Sequence, residues 1–420
     1  QLGALSGAAV LVLSSNRINN KAEAYIEYSS GYTLPGGVTS GIAAGEGVSV
    51  SADDLAAITS TITLHSAAAA GIGNPFGDPH ALAISGAVSM NDVRGGASAY
   101  IERAVLSAGG GDVSVTALED ATLSASLESA AETSTEGGLF GGGSEAAINA
   151  LIATNVVQSE AQAVIRGSRI TTTGTADASN GNVRVDAQNT ASIDASAVNA
   201  TTSGGTNIGV TLAFNSIGWA PQNVLFNTVD ALIGDPAISS AFGGEVPSGA
   251  RAYVQDSVIA ASGAVGVSAR AGADIGSDIT NTSEVSAGGF SDASGTSFGL
   301  VVSQNKVSSK AEAYIDYNLA LPSGVSTGIT AGEGVSVSAT DNAQIESTIT
   351  LESVTAAEAS APLIGGASAL GISGAVSMND VRGGASAYIE GAVLSASGGN
   401  VSVTALEDAR TGALTIRRTG

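Results

Sequence analysis

Two kinds of residue cluster in this chain of 420 residues could do chemistry. The first is Asn91-Asp92-Val93-Arg94-Gly95-Gly96, which sets a carboxylate close to a guanidinium. An acidic and a basic group on one face of a β-rich scaffold could form a sugar-binding or polysaccharide-lyase pair. The same six residues return at 379–384, however. Duplication points instead to a structural turn with a local ion pair, because Asn, Asp and Gly favour turns. The second kind is the carboxylate pairs Asp53/Asp54, Glu119/Asp120 and Glu407/Asp408. Hard cations prefer clustered oxygens, so these six side chains are the weak calcium candidates. No spacing matches an EF-hand loop, and the default reading of each pair is a solvated corner. No cofactor other than calcium is suggested.

Other chemistries lack their residues. His65 and His80 are the only histidines and there is no cysteine, so neither a zinc site nor thiolate chemistry is expected. The glycine-rich stretch Gly137 to Ser144 has no Lys after it and is not a phosphate cradle. No Gly-x-Ser-x-Gly elbow sits between a strand and a helix. Thr59-Ser60-Thr61-Ile62-Thr63 and Thr171-Thr172-Thr173 resemble parts of a flat ice-binding face, but such rows are not sustained from unit to unit. The chain reads as no enzyme.

The elements that must position these residues announce themselves as repeats. Residues 84–102 recur unchanged at 372–390, and 113–121 return at 401–409. The chain therefore holds one superperiod of about 288 residues and the start of the next. A looser unit lies inside it, opening at Asn16, Asn91, Asn155, Asn215, Asn305 and Asn379. The units are 16–90, 91–154, 155–214, 215–304, 305–378 and a partial 379–420, all in one continuous body over 1–420. After each Asn comes an A-x-A-Y/V-I/V stretch, as at 22–26 and 97–101; in the fourth unit it is late, at Ala250 to Val254. Next comes V-x-V-x-A-x-x-x-A-x-I/L, as in Val48 to Ile58 and Val113 to Leu123. Its internal spacing holds while the connection before it varies, which is how solenoids are built.

Apolar residues alternate at period 2, the signature of a strand with one buried face. Hydrophobic residues are 44% of the chain but aromatic ones only 4%, which suits a thin core of small and β-branched side chains. The predicted fold is all-β: an elongated parallel β-helix, or β-solenoid, with variable loops. Right-handed crossovers dominate parallel connections, so a right-handed coil is expected. Six strand-like pieces per unit predict two three-faced rungs per unit, twelve rungs in all, on the order of 60 Å long. An array of immunoglobulin-like sandwiches is the competing fold, but one Trp in the whole chain is too few for it.

The A-x-A-Y-I-E stretch, the G-x-V-S-V-x-A-x-D-x-A-x-I segment and the G-x-A/V-x-N close of each unit resemble giant repetitive bacterial surface proteins of the adhesin or haemagglutinin-like kind. Asn215-Ser216-Ile217-Gly218-Trp219-Ala220-Pro221 looks like a motif of the same group. The resemblance implies a cell-surface fibre or adhesive stalk, extracellular, and part of something larger. It implies a structural or adhesive role, with a carbohydrate-active β-helix enzyme and a calcium-stabilised solenoid as alternatives. Net charge is -23, so nucleic acid is an unsuitable partner. No apolar run is long enough to span a bilayer as a helix, and no membrane insertion is expected. Candidate partners are a cell-surface or carbohydrate ligand and further copies, joined end to end or laterally. Phe76, Phe140, Phe290 and Phe298, placed on or near the variable loops, are the candidate contact points.

Overall fold

The computed structural model describes residues 4–36, 39–71, 78–135, 143–174, 181–220, 244–289, 293–321, 324–359, 366–412 and 415–419. Among them are strands, turns and bends, and no helix. Every pairing between named strands is parallel, and each links a strand to its counterpart in the next coil. The chain is a parallel β-solenoid of three sheets.

Sheet A collects the first long stretch of each coil: Leu5–Asn19 with Ala22–Glu27, His80–Glu102, Ser144–Arg166, Thr206–Ile217 with Ser248–Gln255, Ala293–Asp316, and Ala367–Arg382 with Ala385–Glu390. Sheet B is narrow: Ile42–Ala44, Val105–Ala108, Arg169–Thr172, Val258–Ala261, Ile329–Ala331 and Leu394–Ala396. Sheet C returns the chain through Val48–Ala70, Val113–Thr135, Val183–Ser203, Val265–Gly289, Val335–Ala359, and Val401–Thr411 with Thr415–Thr419.

Each sequence unit thus corresponds to one coil and not two. The segment has six coils, not twelve rungs, because strands read as short pieces are continuous for up to 25 residues. Such a strand spans roughly 75–80 Å at about 3.3 Å per residue, while six coils rise only about 25–30 Å. The body is wider across the coil than it is tall along the axis. Asn91 to Gly96 is no turn either, since it lies inside the unbroken strand His80–Glu102.

The constant spacing of the V-x-V-x-A segment has a direct cause. Val48, Val113, Val183, Val265, Val335 and Val401 pair coil to coil, and the following positions stay in register. One inserted residue would send every later side chain to the opposite face. Opposite this segment lie Ala97, Ala99 and Ile101 and their counterparts, which with Val113, Val115 and Ala117 form the main core. Ala on one wall and Val or Ile on the other fill a gap of roughly 10 Å without aromatic side chains. Where the fourth unit's segment is late, Ser248–Gln255 pairs with both Ser144–Arg166 and Ala293–Asp316, so the ladder resumes beyond the insertion.

In four of the six coils the corner from sheet A to sheet B uses a left-handed backbone. Its residues are Arg103 (φ 53°), Gly167 (φ 59°), Asp256 (φ 47°) and Gly391 (φ 63°), each directly after a sheet A strand. Glycine adopts this conformation freely, whereas Arg and Asp do so at some steric cost.

Candidate functional site

The unit-opening asparagines stack directly upon one another. Asn16 Nδ2 donates to Asn91 Oδ1 at 2.8 Å, Asn91 to Asn155 at 2.8 Å, and Asn155 to Asn215 at 2.8 Å. Asn215 then donates to Asn305 at 2.8 Å and Asn305 to Asn379 at 2.9 Å. The four middle amides are almost wholly buried. A parallel, in-register sheet repeats at the spacing an amide needs to bond its copy above and below. Sequence reading used these residues only as unit markers. Their shared place before the A-x-A segment was the available signal for the ladder.

Four positions further on, the core carries a second polar layer. Sheet A points Asn20, Gly95, Ser159, Ser248, Ser309 and Gly383 inward. Sheet C answers with Asp54, Glu119, Asn189, Ala271, Asp341 and Glu407, one per coil and in register. Large faces small: a Cβ at Gly95 would overlap Glu119 Oε1, and one at Gly383 would overlap Glu407 Oε1. Ser159 Oγ donates to Asn189 Oδ1 at 2.8 Å and completes the middle of the layer.

Asp54 receives the Gly96 N–H at 2.7 Å and the amide of Asn20. Glu119 is fully buried, and among the described residues no N–H or O–H reaches either of its oxygens. Its polar neighbour is the Asp54 carboxylate one coil below. Burial first, and then the charge of Asp54, push Glu119 up to about 8. At neutral pH it therefore carries a proton, which it can share with Asp54. The pattern recurs one superperiod later. Asp341 accepts from Ser309 at 2.9 Å and from the Gly384 N–H at 2.7 Å. Burial and Asp341 push Glu407 up to about 7, and burial raises Asp341 as well.

This arrangement revises the carboxylate candidates. Asp53/Asp54, Glu119/Asp120 and Glu407/Asp408 are not pairs in space, because neighbours along a strand point to opposite faces. Nor do they lie at corners, since all sit within sheet C strands. The residues brought together are Asp54 with Glu119 and Asp341 with Glu407, and Asp341 escaped sequence reading. Asp53, Asp120 and Asp408 face outward; Asp408 pairs with Arg410 at 2.5 Å. Calcium takes six to eight oxygens, whereas each inner pair offers two carboxyl groups, one of which, Asp54 or Asp341, is already engaged by N–H, O–H or amide donors.

On the outer face, Asp92 meets Arg17 at 2.9 Å and Arg94 at 3.1 Å, and Asp380 meets Arg382 at 2.9 Å. The local ion pair is present, although its backbone is strand. Behind the Gly95-Gly96 main chain from Glu119 lies an open surface cleft of about 320 Å³, lined by Asn19, Lys21, Arg94, Ser98, Glu160 and Gln162. Beside it runs a row of stacked tyrosines: Tyr25 on Tyr100 at 4.9 Å, Tyr253 on Tyr314 at 4.8 Å, and Tyr314 on Tyr388 at 4.9 Å. His65 lies 3.4 Å from Glu132, far along the strand from the buried carboxylates. Phe76, Phe140 and Phe290 fall outside the described residues. Phe298 does not sit on a loop; it lies in the strand Ala293–Asp316, 38% exposed on the outer face of sheet A.

Trp219, the only tryptophan, is fully buried where the fourth coil's insertion leaves sheet A. Lys306 Nζ stands 4.7 Å and Arg382 Cζ 4.8 Å from its ring centre. Glu245 closes the cluster by accepting from Ser308 at 2.6 Å and Arg382 at 2.8 Å.

No protein-family model matches the chain, and comparison with curated proteins and with solved structures likewise finds no match.

Proposed function

We propose that this chain is a structural and adhesive element, a stiff segment of a large, repetitive bacterial surface protein that works outside the cell. The observation that carries this reading is the asparagine ladder running unbroken through six coils. Its role is to lock each coil to the next by side chain as well as main chain. The buried Asp54–Glu119 pair fits the same reading, because its proton lies inside the core and not at a surface where substrate could meet it. The polar cleft and tyrosine row offer an outer face on which a carbohydrate or cell-surface ligand could rest. Electron microscopy of the parent protein on intact cells tests the proposal. Surface fibres or stalks labelled by an antibody to this segment are the expected result; label confined to the cell interior would refute it.

Two alternatives are tested alongside. A carbohydrate-active β-helix enzyme would use the exposed Asp92–Arg94 pair. Release of reducing or unsaturated ends from polysaccharides, lost in Arg94→Gln, would support that reading over the structural one. A calcium-stabilised solenoid would melt earlier after chelation, whereas the reading adopted here expects EDTA to leave the melting temperature unchanged.

A further inference from the structure

Over the first half of sheet A the usual sidedness of a solenoid wall is reversed. The strand His80–Glu102 sends Ala81, Ala83, Ser85, Ala87 and Ser89 into the core, while Leu82, Ile84, Val88 and Met90 face outward. Every coil repeats this. From the row of Gly7 and Leu82 to the row of Ser15 and Met90, each of the six strands places five residues on that side and none is charged, although Phe214, Val302, Gln304 and Met378 are covered. Leu82, Met90 and Phe298 are 39%, 40% and 38% exposed, and Leu370 and Ile372 are 55% and 50% exposed. The outer face of sheet C, by contrast, is Ser, Thr and acid along most of its length, as in Ser114, Thr116, Asp120, Thr122 and Ser124.

Six strands at about 4.8 Å and five positions at roughly 6.7 Å, less the four covered ones, make a field on the order of 800 Å². The largest apolar patch on an ordinary monomer is about 300–600 Å², and a standard stable interface buries about 800 Å² on each partner. The relief also suits a copy of itself. Ile84, Ile148, Ile208, Phe298 and Ile372 form one ridge, and Val88, Ile152, Leu212 and Val376 a second. Between them runs a row of mixed height, Leu11, Val210 and Leu300 alternating with the small Gly86, Ala150 and Gly374, and a Cβ at Gly374 would meet nothing within 4 Å. Ridge side chains of one molecule can seat beside the small Ala150 and Gly374 of the other, as pleated faces interdigitate when two sheets pack about 10 Å apart.

We propose that this face pairs with the same face of a second copy of the chain, giving a two-fold symmetric, back-to-back dimer. A net charge of -23 disfavours an anionic lipid surface as the occupant. A single self-complementary patch with charge along one border, at Arg17, Asp92 and Asp380, fits an isologous contact. The pairing stands independently of the fibre reading, since it needs only this face.

Sedimentation of the purified chain across micromolar concentrations tests it. A dimer is expected, and the double variant Ile148→Asp with Ile152→Asp should raise its dissociation constant by about 100-fold or more. Both side chains point outward, so the variant's circular dichroism should match the parent's. Val210→Cys, in the middle of the patch of a chain without cysteine, should form a disulfide-linked dimer under oxidation. A chain that stays monomeric at every concentration overturns the proposal. So does an oligomer untouched by the double variant, which would mean association through the coil ends. Flotation of monomeric chain with phosphatidylcholine vesicles, abolished by the double variant, overturns it in favour of lipid.

Discussion

Glu119 gives the sharpest test of the core's electrostatics, through substitution by Gln and a pH series. In the fold its carboxyl is pushed to about 8, against an ordinary 4.5, by burial and then by Asp54. Asp54 lies one coil below and Asp120 beside it along the strand, while Gly95 opposite and Asn189 above bring no charge. The folded protein thus holds a proton that the unfolded chain releases near pH 4.5. Stability from this group is fully present below about pH 4.5 and is lost as pH rises through about 8. The rise from 4.5 to about 8, at roughly 1.4 kcal/mol for each tenfold change, sets a ceiling of about 5 kcal/mol. For 420 residues the unfolding entropy is about 0.9 kcal/mol/K, so the melting temperature should fall by about 5 °C. Circular dichroism melts at about pH 5 and about pH 9 provide the readout. Glu119→Gln keeps a donor for Asp54 and cannot ionise, so this part of the alkaline loss should vanish. Parent and variant should melt together at the acid end, with the variant higher at the alkaline end. Because the rest of the chain's charge is common to both, identical pH profiles would refute the shared proton.

Three further outcomes follow from the same geometry. Asn155→Ala removes an acceptor for Asn91 and a donor to Asn215 inside the core, and should cost about 3 kcal/mol, read as a melting temperature lower by about 3 °C. Gly95→Ala puts a methyl group into the Glu119 carboxyl and should destabilise the chain at all pH values, whereas Gly95→Ala with Glu119→Ala should recover much of the loss; a double-mutant cycle measures the coupling. Arg382→Gln takes one cation from the face of Trp219 and leaves Glu245 with a weaker partner, so fluorescence from this lone tryptophan should shift red at a cost of about 1 kcal/mol.

The parallel ladder was legible in the sequence because it depends on backbone register, and register is written as spacing. The step from Val113 to Leu123 equals that from Val183 to Ile193 because those residues pair directly. Coil length was not legible. Gly95-Gly96 looks like a turn, yet here glycine makes room for Glu119 across the core while the strand runs on. Nor could period 2 say which face lies inside when both alternating sets are uncharged, as in Ala81 to Met90. The carboxylates were misread for a related reason. Adjacent acids look like a pair on paper, but Asp54 and Glu119 share a place in the repeat, each six residues after the first Val. Aligning the units by that Val would have brought them together.

The amide ladder also gives the solenoid a direction. From Asn16 to Asn305 every side chain donates toward higher residue numbers, and none reverses. One end of the row is left offering an oxygen and the other an N–H, like a zip whose teeth all lean the same way. Whatever lies beyond either end, whether more of the same chain or another molecule, can extend the row only head to tail. A fibre grown on this rule would be vectorial, with two chemically distinct tips.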